Sequence, residues 1–327
     1  MNSAARLLFL LSPLVAAQQL LTLTDQVRNP YGLVTGPDGA LYICEIDSHR
    51  VSRFDFATRK LESVVDPSVE KGIQEPYEVR FDRKGDLFFV DMKGHRVYKF
   101  DRKSKKLSVV AGTGEAGFAG DGGPASAAQL KQPHSIAFDP QGRLLICDIG
   151  NNRVRRVDMK SGVIETFLGT GAREPVPDGA PATGTPLNGP RAIDFDRQGT
   201  LYLALREGNA IYRITAKDQK LVLVAGTGEK GNTGDGGDAR KARLNGPKGV
   251  SVAPDGSLYI ADTENHTIRR VDPKGVISTV AGSGARGNGV ETKPLDCAMN
   301  RPHGVFVDRR GAVYIGDSEA HKIRVLR

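Results

Sequence analysis

The chain has 327 residues and a formal net charge of +8, with 39 glycines, no tryptophan and three cysteines. Three cysteines exclude a disulfide framework, and beyond the first seventeen residues no apolar run is long enough to cross a bilayer as a helix. The basic balance admits an acidic partner without saying which kind.

Residues 1–17 read as a secretory signal peptide. Arg6 supplies the positive end, Leu7 to Val15 the apolar stretch, and Val15 and Ala17 the small residues ahead of a cleavage before Gln18. The expected mature chain, 18–327, is then a single secreted or periplasmic domain. It opens with a spare strand, Gln19 to Gln26, after which one unit occurs six times. A proline starts each copy (Pro30, Pro76, Pro133, Pro190, Pro247, Pro302). A glycine follows nine residues later, and a His or Asn ten residues after that (His49, His95, Asn152, Asn209, His266, His321). In the fifth copy, strands are expected at Gly249–Val252, Leu258–Ala261 and Thr267–Val271, with Pro254-Asp-Gly256 in the tight turn between the first two. Most copies continue into a fourth β-rich run: 61–65, 107–111, 163–168, 221–225 and 276–281. Four antiparallel strands at a period of 46 to 57 residues predict an all-β, six-bladed β-propeller. The last copy ends after its third strand, so the N-terminal strand is expected to pair with Lys322–Leu326 and close the ring.

The pattern Pro-x-x-[Val/Ile], Gly-x-Leu-Tyr-Ile, Asp-x-x-[Asn/His]-x-[Ile/Val] resembles that of the NHL-repeat β-propellers over residues 29–327. The resemblance implies the fold. For function it offers several precedents: binding and scaffold domains, RNA-binding domains, a metal-dependent amidating lyase and, among related six-bladed propellers, gluconolactonase-type enzymes.

Strand parity gathers the residue after each proline, the second turn and the long linkers at one rim, the expected site of binding. In the first strands one row is apolar, and the other is small at Gly32, Ser135, Ala192, Gly249 and Gly304, where blades converge. Glu78, Arg80 and Asp194 break the small row and are candidates for a polar channel lining. The post-proline residues Tyr31, Tyr77, His134, Arg191, Lys248 and His303 form the leading candidate site, a ring that offers cations and tyrosine faces to an anionic or carbohydrate-like ligand. Arg206 joins them from the fourth copy, where Leu205-Arg206-Glu207 replaces the usual acid-led turn. The acids of that turn, Glu45, Asp91, Asp148, Asp262 and Asp317, are expected to cap it.

The lyase resemblance implies a divalent metal held by histidines after the repeat proline, which makes His134 and His303 the candidates. They fall in copies 3 and 6, opposite each other, and the alternate positions 77 and 191 are Tyr and Arg. Catalytic zinc ordinarily takes three protein ligands.

Three linkers carry Gly-x-Gly-x-x-Gly, but each leads to another antiparallel unit rather than to a helix, which excludes a dinucleotide site. The linkers are expected to fold over the rim, leaving a notch beside Tyr31 and Tyr77 where residues 66–75 are short. The arginine runs 153–156 and 269–270 are expected on a solvated outer face. Export and the missing aromatic platform argue against nucleic acid, leaving a protein, a glycan or a small anion as partner. The reading is an exported propeller that binds through the proline-end rim. The alternative is a metal-dependent lyase or hydrolase at the same mouth.

Overall fold

A computed structural model describes residues 18–290 and 293–327. The expected signal peptide, residues 1–17, lies outside the described residues. Six antiparallel sheets follow in chain order, and each proline begins an innermost strand. Blade 1, for example, runs Pro30–Thr35, Leu41–Glu45, Arg50–Phe54 and Leu61–Val65. Blade 4 gains a short fifth strand, Ala180–Pro181, on its outer edge. The predicted fourth strands start within one residue of those observed.

In blade 6 the outermost strand comes from the other end of the chain. Leu20–Thr24 pairs with Lys322–Leu326 in the register Leu20↔Leu326, Leu21↔Val325. Leu20 and Val27 are fully buried and Leu23 nearly so.

The hydrophobic residues fall into six clusters, and each lies between two consecutive blades, including blades 6 and 1. The core is thus a ring of interfaces. It needs inner strands that nearly touch at the axis, which is why one row is small: a Cβ on Gly249 would lie 2.6 Å from the His303 carbonyl of the next blade.

The third anchor joins the blades. All six His and Asn residues are left-handed, with φ between 45° and 56°. In four of them the side chain accepts the N–H of the residue preceding the next blade's proline. His95 Nδ1 takes Gln132 (3.1 Å), Asn209 Oδ1 takes Gly246 (2.9 Å), His266 Nδ1 takes Arg301 (3.1 Å) and His321 Nδ1 takes Asn29 (2.9 Å). The last of these crosses the closure of the ring. His49 contacts the Gln74 carbonyl, and Asn152 turns to Gly171.

The second-turn acids mainly cap the segment that enters their own blade. Asp148, Asp262 and Asp317 accept the N–H of Lys131, Asn245 and Asn300 at 2.6–2.7 Å, each two residues before a repeat proline. Asp91 accepts Gln74, Glu75 and, from its own turn, Gly94.

Two expectations are corrected. Arg155 and Arg269 are fully buried instead of solvated. Arg155 bridges Asp148 (3.5 Å) to Asp121 (2.5 Å), and Arg269 bridges Asp262 (3.5 Å) to Asp235 (2.7 Å). Asp121 and Asp235 belong to the Gly-Asp-Gly-Gly segments, so these segments serve as ion-pair partners. The linkers, for their part, run along the outer edge of the following blade: Gly122 donates to Ile164, Ala125 to Gly162 and Gly236 to Ile277. They complete that edge instead of narrowing the rim, because an uncovered outer strand leaves N–H and C=O groups unpaired.

Deleting residues 18–27 removes three buried apolar side chains worth about 1.5–3 kcal/mol each and reopens a sheet edge. The melting temperature is expected to fall by about 10 °C or more; calorimetry showing no shift would contradict the closure. Arg155→Met, which strands the buried Asp148 carboxylate, is expected to cost about 3–5 kcal/mol in urea unfolding. Adding Asp148→Asn should return part of that loss.

Candidate functional site

Every inner strand has a register break just after its proline, between Pro76 and Glu78, Pro190 and Ala192, Pro247 and Gly249, or the equivalent positions. A bulge re-aims one side chain. Here it turns the post-proline residue to the axis.

The six residues meet in two linked groups. His134 packs on Tyr77 (ring centroids 4.4 Å apart), Tyr77 on Tyr31 (4.6 Å) and Tyr31 on His303 (4.1 Å). Arg191 lies over the Tyr77 ring with its Cζ 4.9 Å from the centroid, and it donates to the Tyr77 hydroxyl. Lys248 Nζ lies 3.2 Å from His303 Nε2 and 2.7 Å from Glu264 Oε1. All but Tyr31 are buried. They form a packed plug across the axis.

The hydrogen bonds assign the imidazole protons. His134 Nδ1–H donates to the Gln132 carbonyl (2.6 Å) and His303 Nδ1–H to the Arg301 carbonyl (2.8 Å), so both Nε2 atoms are bare and that of His303 accepts from Lys248. Burial pushes His134 down to about 3, against its weaker bond to Gln132. His303 is held well below the usual histidine range by burial and by the Lys248 and Arg191 charges. Burial and Arg191 likewise bring Lys248 down to about 7. Burial raises Glu264, but Arg301 and Lys248 outweigh it and hold that carboxyl at about 2.

Three acids that the sequence reading did not single out complete the mouth. Glu207, Glu264 and Glu319 share one repeat position, two residues into the second turn of blades 4, 5 and 6, and that common offset was the available signal. Glu264 and Glu319 both grip Arg301 at 2.7 Å, and Glu207 pairs with Arg206 at 2.8 Å. Arg191 has no carboxylate in ion-pair contact among the described residues, and its Nε is buried without an acceptor. Burial brings Arg191 down to about 9, with the nearby Arg206 charge adding to the effect.

Beneath the plug, Arg80 pairs with Glu78, and Asp194 accepts the N–H of Val252 (2.8 Å) and Phe195 (2.9 Å). Burial raises both carboxyls, and Arg80 opposes it. The cavity between plug and strands holds only about 20 Å³, room for about one water.

A metal does not fit here. Tyr77 and Tyr31 stand between the two candidate histidines, and the free nitrogen of His303 is taken by Lys248. Among the described residues no three His, Cys, Asp or Glu side chains are placed to share a metal ion.

The depressed His134 has a signed consequence. Below pH 6.5 the unfolded chain binds a proton there that the folded chain refuses, so stability is lost as pH falls from 6.5 toward 3. Relative to His134→Phe, in which the other titrating groups cancel, the wild type should lose about 1.4 kcal/mol per pH unit across that window. Denaturant midpoints at pH 7.5 and 5 check it; parallel shifts in the two proteins would refute the burial argument.

The sequence profile of the Teneurin NHL domain matches residues 21–179 and 196–300. Suppressor of Quenching 1, chloroplastic, of Arabidopsis thaliana is 26% identical over 232 residues, which is 66% of this chain and 21% of that protein. NHL repeat-containing protein 2 of Bos taurus is 27% identical over 249 residues, 67% of this chain and 34% of that protein. The chain thus spans about a third or less of the length of these relatives. Among solved structures, an auxiliary nutrient binding protein from Bacteroides thetaiotaomicron superposes with a TM-score of 0.71 at 19% identity, covering 95% of this chain and 76% of that one, a likeness of fold alone. The repeat, the six closed blades and the profile match together make this chain a member of the NHL-repeat family of β-propellers.

Proposed function

We propose that this chain is an exported binding propeller that takes a small anionic group at the proline-end mouth, with Arg191 as the principal contact and Lys248 and Arg206 beside it. The observation that carries this reading is the uncompensated Arg191. A guanidinium removed from water with no carboxylate in contact costs several kcal/mol, whereas the cations beside it each touch an acid: Arg206 has Glu207, Lys248 has Glu264, and Arg301 has Glu264 and Glu319. A carboxylate or sulfate arriving from solvent would supply the missing charge. Its fork-shaped match to guanidinium favours such a group over a neutral one. With about 20 Å³ inside the axis, the ligand stays at the mouth and only its charged end engages the plug. A neighbour in fold from Bacteroides thetaiotaomicron is described as an auxiliary nutrient binding protein, which supports a binding role.

Calorimetric titration with galacturonate and with inorganic sulfate tests the reading. Saturable binding is expected, weakened at least about tenfold, or about 1.4 kcal/mol, by Arg191→Gln. Affinity should rise as pH falls from 8 to 6, because Lys248 gains its proton near 7. Equal binding by the variant, or no binding of either anion, would overturn it.

A further inference from the structure

The tight-turn face, at the other end of the axis, carries a groove of about 970 Å³. Its walls are the first turns of blades 6, 1 and 2, and its cations are Arg83, Lys84, Arg309, Arg310 and Arg327. We infer that this groove is a binding site for an acidic polysaccharide, a sugar chain bearing carboxylates or sulfates.

The charge here is available. Lys84, Arg309 and Arg310 are exposed, and among the described residues no acid pairs with their side chains. The two aspartates of the groove are already engaged by their own turns. Asp82 Oδ1 accepts the N–H of Lys84 and Asp86 at 2.9 Å, and Asp308 Oδ1 accepts those of Arg310 (2.8 Å) and Ala312 (2.9 Å). Asp38, on the adjoining turn, is held by Arg53 at 2.8 Å and Arg102 at 3.4 Å. Lys84, Arg309 and Arg310 therefore face a space in which the acids serve to hold the turns, while Arg83 reaches the Pro140 carbonyl of blade 3.

The scaffold does not require this charge. The same two turn positions are Pro37-Asp38, Pro140-Gln141 and Pro254-Asp255 in blades 1, 3 and 5, and Arg197-Gln198 in blade 4. Those blades fold with a proline or a single cation there. The doubled pairs, Arg83-Lys84 and Arg309-Arg310, fall in the two blades that flank blade 1, on one side of the axis. A purely structural need would have placed them evenly round the ring.

The rings in the groove indicate the kind of polyanion. Phe56 and Phe81 are half-buried and Tyr314 is 4% exposed, with Phe56 packed against Tyr314 at 5.8 Å between centroids. Phe81 also meets Tyr42 edge-on and lies under Arg102, so the rings form a floor rather than the row of open faces on which single-stranded nucleic acid stacks. A uronate or sulfated sugar chain needs only cations at intervals, and the arginine fork suits both of its charged groups.

The test uses the full chain with oligogalacturonate and dextran sulfate, with neutral dextran and a single-stranded DNA oligonucleotide of matched length as comparisons. Binding of the two acidic glycans is expected, with affinity falling steeply as salt rises. The variant K84E/R309E/R310E should lose at least about 100-fold, or about 2.7 kcal/mol, while its melting temperature stays near that of the wild type. A proline-end variant with the same change in charge, K93E/K131E/K230E, should bind the glycans as the wild type does. Arg191→Gln should also leave glycan binding intact, which separates this groove from the mouth. Undiminished binding by the triple groove variant, equal binding of neutral dextran, or tighter groove-dependent binding of the DNA would each overturn the inference.

Discussion

The structure depends on one repeated handshake between blades. A left-handed His or Asn at the end of one blade's second turn accepts the N–H of the residue leading into the next blade. A left-handed backbone at a non-glycine residue costs about 1–2 kcal/mol, and a single hydrogen bond returns about as much. The bond satisfies the donor that leads into the next blade, which is buried at Gly246 and partly exposed at Asn29 and Arg301. Closure by His321 and Asn29 makes the first and last blades neighbours through the same bond that joins blade 2 to 3, 4 to 5 and 5 to 6. Once this spacing is set, the post-proline bulge follows, and six side chains are delivered to the axis.

A second set of buried polar contacts governs the outside of the ring. Arg155 and Arg269 join the second-turn acid of their blade to an aspartate in the glycine-rich linker, and in blade 6 Arg324 reaches Asp317 at 2.7 Å and the Gly289 carbonyl at 2.9 Å. The acid thus caps the incoming segment and, through the arginine, fixes the linker. The glycines of the linkers answer the same need. Gly112 and Gly226 have φ of 93° and sit against the carbonyls of His95 and Asn209. The motif that resembles a nucleotide fingerprint is a device for crossing from one blade to the next.

The two ends of the axis use charge differently. At the proline end, cations and acids alternate in a packed mouth, and Arg191 is the member without an acid. At the other end the acids are absorbed into turns and the cations project into open space. The two ends of the axis thus carry unlike cationic groups: a desolvated guanidinium suited to one small anion, and an open groove suited to many weak contacts.

The spacing of proline, glycine and His or Asn determined the number of blades, the strands and their turns, the small inner row, the closing strand and the ring of post-proline residues. These are local and periodic features, set within some twenty residues by strand alternation and turn chemistry. Pair contacts were decided only in three dimensions. Arg155 and Asp121 lie 34 positions apart, and no pattern reveals that a basic strand residue turns inward to meet a linker aspartate. Tyr77 and Arg191 are 114 apart, so the plug that fills the expected opening was not legible in either repeat alone. The groove at the far face joins turns at 83–84 and 309–310 that are neighbours only because the ring closes. Sequence periodicity sets what each blade is, whereas the curvature that brings blade 6 beside blade 1 decides which charges meet.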